Sequence, residues 1–282
     1  MNNSGTLYVV ATPIGNLGDM TIRGLETLKT VDAIAAEDTR HTSGLLSHFG
    51  FSKKLIAVHE HNEHQSAEKL LTQLQAGENI ALVTDAGTPG ISDPGAVVVD
   101  LMRKAGIKVV PIPGASAVIA ALSASGITQN GFHFHGFLPA SGAARRKVLE
   151  SLKTQTVTLV FYEAPHRIIE CVEDLAQVLG SERRLTFARE LTKTFETFYT
   201  CPVGHASAWL QADTNQQRGE FVLLLEAAAV IESDELPEES VKVLKLLLAE
   251  LPLKQAVKLA TEITKEKKNE LYELALKLKE NT

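Results

Sequence analysis

Five short apolar runs, each followed by a longer amphipathic stretch, dominate the first half of the chain: TLYVVA (6–11), DAIAAE (32–37), KLIAV (54–58), NIALVT (79–84) and KVVPI (108–112). Segments with helical spacing lie at 21–30, 41–49, 65–76, 94–105 and 114–124. Strands that alternate with helices run parallel, and a parallel sheet is covered on both faces, so its strands read as continuous apolar runs. Residues 1–128 are therefore expected to form one α/β domain.

The pattern breaks at GITQNGFHFHGFLPASGAARRK (126–147), whose Gly, Asn and Pro mark a linker or domain edge. A second α/β set follows, with strands at 156–163, 184–190, 194–200 and 220–227 and helices at 142–153, 166–179 and 202–211. Two strands there have no helix between them, so residues 129–230 are expected to hold a mixed sheet. ESDELPEES (232–240) reads as an acidic linker, and 231–282 as a tail of two or three short helices resembling a helix-turn-helix, interrupted at Pro252 and near Thr264.

At 282 residues the chain exceeds what a single core usually organises. Its net charge of −6 means that any nucleic-acid contact must come from a local basic patch. From Leu253 to Lys279 there are seven Lys against four Glu, which suits docking on a charged particle better than tight binding to a free duplex, with a helical dimerisation arm the alternative role. Cys171 and Cys201 are the only cysteines and form no CxxC, which suggests neither a disulfide framework nor a thiolate metal site. The start of the chain has no charged leader with an apolar core, and no apolar run approaches the ~20 residues that span a bilayer. A soluble cytoplasmic protein is expected.

The chemistry sits where strands end. DAGTPGISDPG (85–95) follows the fourth strand, ATPIGN (11–16) the first and PIPGASA (111–117) the fifth. In open α/β sheets ligands lie beyond the carboxyl ends of the strands. Glycine lets backbone approach a ligand, and proline lowers the entropy cost of ordering the loop. The alternative for Asp93-Pro94 is structural: Asp93 as cap of the next helix with Pro94 at its first position. AAEDTRHT (35–42) places Glu37, Asp38 and Arg40 at the same edge, with Asp38 as a cap the alternative role. VHEHNEHQ (58–65) brings His59, His61 and His64 together, but no matching ligand cluster accompanies it, and a polar cleft loop is expected rather than a metal site. FHFHGF (132–137) reads as an alternating edge strand, and ARRK (144–147) as a solvated helix face or a phosphate contact. FYEAPHR (161–167) and ARELTKTFE (188–196) repeat the strand-end theme in the second half. The chain has neither a GxG nor a GxxxxGK[ST], which sets aside the dinucleotide fingerprint and the P-loop.

TPIGNLGD, AEDTRHT, HEHNE, VTDAGTPGISDPG, PIPGASA, FYEAPHR and ARELTK, taken in order, resemble the tetrapyrrole methylase superfamily over residues 6–227. Within it they are similar to the branch that methylates a cytidine 2′-oxygen of small-subunit (16S) ribosomal RNA in the 30S particle. The resemblance implies a two-domain α/β fold with an appended helical module, a homodimer, and S-adenosylmethionine folded into the cleft. Two departures from the wider superfamily, Pro13-Ile14-Gly15 in the first loop and Asp85-Ala86-Gly87 in the fourth, are typical of the RNA-modifying branch. By position the resemblance carries cofactor contacts to Pro13, Gly15, Asp85, Ala86, Gly87, Ser116 and Ala117, and across the cleft to Tyr162, Glu163, Ala164 and Leu191. It supplies no agreed catalytic base. On chemical grounds Glu190 is the expected proton acceptor, with Arg40, Arg189 and Lys193 orienting phosphate or ribose. Two other readings stay open at this point: a C-methyltransferase acting on a tetrapyrrole, and a non-enzymatic regulator led by the tail.

Overall fold

Each apolar run of the first half becomes a strand: β1 (Thr6–Val10), β2 (Ala33–Ala36), β3 (Lys54–Ala57), β4 (Ile80–Val83) and β5 (Lys108–Ile112). They are joined by α1 (Ile22–Thr30), α2 (Thr39–His48), α3 (Glu63–Gln75) and α4 (Ala96–Lys104). The computed structural model describes residues 4–59, 62–128, 131–228 and 236–280. Neighbouring strands are parallel, in the order β3-β2-β4-β1-β5. β2 and β4 are buried at every position, as strands covered on both faces must be. One face packs Leu7, Ile80 and Leu82 against Leu70 and Leu74 of α3 and Met102 of α4. The other packs Val10, Ile34 and Val83 against Leu28 of α1 and Leu46 of α2.

The second sheet contains β6 (Phe132–Phe137), β7 (Thr158–Glu163), β8 (Arg184–Arg189), β9 (Thr197–Pro202) and β10 (Phe221–Leu225), ordered β6-β7-β10-β8-β9. Only the β6–β7 pair is parallel, so the sheet is mixed. Its helices are α6 (Gly142–Leu152), α7 (Ile168–Leu179) and α8 (Ala206–Ala212). Between the sheets runs α5 (Ala117–Ala124), whose sequence AVIAALSA is apolar around most of its circumference. A helix without a polar face has to be buried. Here Val118 and Ala121 pack on Val160, Ala188, Val222 and Leu224 of the second sheet.

The expected linker at 126–147 is more ordered than its composition suggests. It contains edge strand β6, where a bulge between Phe134 and Gly136 accounts for the glycine. The ARRK reading is corrected at Arg145, while Arg146 and Lys147 are exposed as expected. Arg145 is only 2% exposed; its Nε donates to Asp174 Oδ2 at 2.6 Å, and Arg146 Nη1 donates to Asp174 Oδ1 at 2.8 Å. Arg145 is thus part of a buried ion network between α6 and α7, not a solvated face or a phosphate contact.

The chain divides into compact units Met1–Ala228 and Ala229–Thr282. In the second unit α9 (Glu238–Glu250), α10 (Leu253–Thr264) and α11 (Lys268–Glu280) enclose Leu244, Val257, Ala260, Leu271 and Ala275. The breaks fall where the sequence placed them: Pro252 precedes α10, and Lys265 ends it in the left-handed region at φ 65°. Residues 232–235 of the expected acidic linker lie outside the described residues, and α9 starts within its remainder. No described helix is long and apolar enough to cross a membrane.

Removing Asp174 would leave Arg145 charged and buried with only the longer contact to Glu170 at 3.6 Å as its ion pair. Asp174→Ala is expected to cost about 3–5 kcal/mol, read as a lowered midpoint in urea unfolding.

Candidate functional site

β4, β1 and β5 are adjacent in the sheet, so the three Gly/Pro loops that follow them meet at one edge. They are interlocked. Thr12 N–H donates to the Gly87 carbonyl at 2.9 Å, and Gly87 N–H donates to the Thr12 carbonyl at 3.0 Å. Thr12 Oγ1 also donates to the Thr84 carbonyl, and Thr88 Oγ1 to the Ala115 carbonyl. Gly87 sits at φ 87°, where a side chain is strained, which is why this bridge needs glycine.

The facing wall comes from the second sheet. Phe221 is in register with both Glu163 and Arg189, so the ends of β7 and β8 and the start of β10 lie in one row. Together the walls enclose a cleft of about 360 Å³ lined by backbone loops and by Ile14, Tyr162, Leu191 and Phe221. That volume lies within the ~300–1,000 Å³ typical of ligand pockets.

Of the cofactor contacts read from sequence, Ala86, Gly87, Ser116, Ala117, Tyr162, Glu163, Ala164 and Leu191 line this cleft. Pro13 and Gly15 flank its lining residue Ile14, and Asp85 immediately precedes Ala86. Gly15 is required by packing, since a Cβ there would lie 2.6 Å from Lys193 Cγ and 3.0 Å from the Leu191 carbonyl. Its bare backbone lets the first loop touch the ELTK turn of the opposite wall.

The four residues expected to act on RNA are not among the lining residues. Glu190 and Thr192 adopt left-handed backbone at φ 52° and 67°, flanking Leu191, which does line the cleft. Glu190 Oε1 accepts from Lys193 Nζ at 2.9 Å and from Glu220 N–H at 3.0 Å, and Lys193 Nζ also donates to Glu220 Oε2 at 2.9 Å. Burial alone would raise the Glu190 pKa, but Lys193, the Glu220 N–H and Arg189 together bring it below the ordinary value. Arg189 donates to the carbonyls of Phe195, Asn215 and Arg218, clasping the loops around the turn. Arg40 lies at the start of α2, 90% exposed at its side chain, and pairs with Asp38, whose carboxylate accepts the Arg40 N–H and caps the helix. The cap role foreseen for Asp38 is thus realised. In Glu163, Oε1 accepts from Ala164 N–H and from Arg167 Nε and Nη2, while the buried Oε2 accepts no hydrogen bond.

Asp93 does not cap α4. Glu63 Oε1, reaching over from α3, accepts from Gly95 N–H at 2.8 Å and from Val97 N–H at 3.0 Å, and so takes that position. Asp93 lines the cleft instead. Burial first, then the charges of Glu37 and Asp85, push its carboxyl up to about 6. Glu37 is raised too, chiefly by burial. Opposite them Tyr162 is pushed up to about 12 by burial and by the Asp93 charge, against a Val118 N–H bond to its oxygen. Sequence reasoning missed Ile14, Phe137, Glu220 and Phe221 as lining residues. Phe137, at the end of an alternating strand, carried some signal; Glu220 carried none, because only the β10 register brings it to this edge. In the histidine-rich loop, Asn62 Oδ1 accepts the His59 N–H, while Glu60 and His61 lie outside the described residues.

Residues 6–207 match the family model described as Tetrapyrrole (Corrin/Porphyrin) Methylases. This chain belongs to the tetrapyrrole methylase family. Residues 234–279 match a second model, the RsmI C-terminal HTH domain. A relative from Escherichia coli named ribosomal RNA small subunit methyltransferase I is 53% identical, covering 98% of this chain and 96% of its own. One of the same name from Pseudomonas aeruginosa is 51% identical, covering 97% and 98%. Among solved structures, the methyltransferase CobJ shares the methylase fold at TM-score 0.61 and 18% identity, over 80% of this chain and 95% of that one. A Thermus thermophilus uroporphyrin-III C-methyl transferase complexed with S-adenyl homocysteine shares it at TM-score 0.56 and 16% identity, over 79% and 97%.

The raised Asp93 pKa has a consequence for stability. Folded protein holds this proton more tightly than the unfolded chain, for which 3.8 is the ordinary value. The stabilisation from protonation is therefore complete below that pH and is lost as pH rises through about 6. Glu37, Asp85 and Tyr162 face the same carboxyl. Asp93→Asn is expected to be more stable than wild type by ~1–2 kcal/mol at pH 7.5, allowing for solvent screening, with the gap closing toward pH 4.5. Thermal unfolding of both proteins across that range checks it.

Proposed function

We propose that this tetrapyrrole methylase family member is an S-adenosylmethionine-dependent methyltransferase of small-subunit ribosomal RNA. The acceptor is the 2′-oxygen of a cytidine in 16S RNA, presented on the 30S particle, and the enzyme works in the cytoplasm as a homodimer. The observation that carries this reading is identity of about half the residues along almost the whole chain with relatives named for that RNA. The match includes the C-terminal helical module. The uroporphyrin-III C-methyltransferase and CobJ structures share under 20% identity and match 79–80% of the chain, so they speak for the fold and not for the substrate. A regulator without catalysis would have no use for three interlocked strand-end loops.

The cleft fits the methyl donor. Backbone at Ala86–Thr88 and at Ser116–Ala117 offers polar groups without bulky side chains, and Ile14, Tyr162 and Phe221 offer apolar walls. When bound, the donor supplies an electrophilic methyl on a positively charged sulfur. The residues of this chain hold that group against the entering ribose, and alignment alone accounts for much of the acceleration in such displacements. The sulfonium charge disappears on transfer, so a wall that favoured it strongly would slow the reaction. The ELTK turn satisfies this by pairing Glu190 and Glu220 with Lys193. Arg40 and the Lys-rich C-terminal unit are the groups proposed to meet RNA phosphate, Arg40 through its planar donor fork.

Labelled-methyl transfer should be measured on 30S particles, naked RNA and a tetrapyrrole, with digestion of the RNA to nucleosides. Ribose-methylated cytidine from 30S particles is expected; label in the tetrapyrrole, or none in RNA, overturns the reading. Removing residues 229–282 should weaken the effect of 30S particles on turnover while leaving S-adenosylhomocysteine binding intact, as measured by calorimetry.

A further inference from the structure

We propose that Phe137 is the stacking platform for the base of the nucleotide that is methylated, a nucleobase subsite at the mouth of the cleft. The assignment deepens the proposed ribose methylation and rests on it.

The chemistry of the acceptor requires such a place. The 2′-oxygen sits on a carbon bonded to the carbon that bears the base, so an oxygen brought to the methyl donor brings its base along. An unpaired base has lost its stacking neighbours, and proteins restore that contact with aromatic side chains. The cleft therefore needs a ring that belongs to its lining and is open to an incoming ligand.

Phe137 meets both conditions: it lines the cleft and is 52% exposed. The other lining aromatics are Tyr162, which is partly buried, and Phe221, which is buried in the core of the second sheet. Phe132 and Phe195 are exposed but are not lining residues. Exposed apolar residues scattered singly over a surface need no explanation. Phe137 is not such a case, because Ile91, 43% exposed, lines the same cleft from the loop after β4.

The strand is built to aim this ring. In FHFHGF strict alternation would place Phe137 on the face opposite Phe134, with His133 and His135. The bulge between Phe134 and Gly136 shifts the alternation by one residue and brings Phe137 into register with Tyr162. Both phenylalanines consequently meet Tyr162 edge-on, Phe134 at 4.9 Å between ring centroids and Phe137 at 5.5 Å. An edge-on contact fixes the plane of Phe137 and leaves at least one of its faces clear of Tyr162. Gly136 also lets the facing wall approach. At φ 82°, a Cβ there would lie 2.8 Å from Ser92 Oγ, so the loop after β4 closes on β6 because this residue is bare. Ile91 and Phe137 are the chain neighbours of that contact, one from each wall.

The test measures kcat/KM for methyl transfer to 30S particles in Phe137→Ala, Phe137→Leu, Phe137→Tyr and Phe132→Ala. Calorimetry gives the affinity of each for S-adenosylhomocysteine, and light scattering its mass. Phe137→Ala and Phe137→Leu are expected to lower kcat/KM about 5–150-fold, the range for losing one base–aromatic contact. Leucine keeps apolar bulk without a ring face, so a residue needed only for packing would tolerate it. Phe137→Tyr keeps the ring and should recover most of the loss. Phe132→Ala, at the far end of the same strand, should stay within about threefold of wild type, as should S-adenosylhomocysteine affinity in all four variants. A Phe137→Ala value within about threefold of wild type overturns the inference. So does Phe137→Leu at wild-type turnover, Phe137→Tyr no better than Phe137→Ala, or Phe132→Ala as impaired as Phe137→Ala. A matching loss of S-adenosylhomocysteine affinity would make the ring a wall of the cofactor site, and a changed mass would make it a contact between copies; either result also overturns it. Nucleoside analysis of the wild-type product tests the underlying reading separately: the absence of ribose-methylated nucleoside removes that reading whatever the variants do.

Discussion

Two backbone hydrogen bonds, exchanged between Thr12 and Gly87, hold the cleft in shape. They tie the loop after β1 to the loop after β4 in an isolated antiparallel bridge, set across the carboxyl edge of an otherwise parallel sheet. Each bond contributes only about 1 kcal/mol, but together they satisfy the backbone N–H and carbonyl of both residues and fix the course of the chain between residues 84 and 95. Thr88 extends the tie to the third loop through the Ala115 carbonyl. A ligand therefore meets a rim that is already ordered, and little of its binding energy goes into arranging the protein.

Charge is distributed unequally around that rim. On the wall built by the second sheet, acids are matched with cations: Glu163 with Arg167, and Glu190 and Glu220 with Lys193. On the first wall Glu37, Asp85 and Asp93 face one another with no ion pair to a cation among the described residues, while nearby Asp38 is held down to about 2 by Arg40. Crowding carboxylates in this way lowers folding stability, and proteins keep such arrangements where reactivity repays them. The contrast separates acids neutralised by a cation from acids set against one another.

Much of this was legible in the residues. Continuous apolar runs separated by helical spacing predicted the parallel sheet, because only burial on both faces removes the polar alternation. The strand-end loops announced themselves through Gly, Pro and Asp, since backbone that must turn sharply and stay bare admits few other residues. Eight of the positions carried over from the resemblance line the cleft. Where the reading went astray, a long-range partner had intervened. Arg145 in ARRK looks solvated until Asp174, 29 residues away, is packed against it. Asp93 looks like a cap until Glu63, from the preceding helix, takes that place.

By itself, then, the sequence determined which segments become strands and helices, where the chain may turn, and which loops can approach a ligand, because each of these follows from local sterics and the period of burial. The order β3-β2-β4-β1-β5, which makes three distant loops neighbours, was decided only by tertiary structure. So was the partnership of every acid in the cleft. Pairing and burial depend on groups tens of residues apart, and no local pattern encodes whether a carboxylate will find a cation or be left without one.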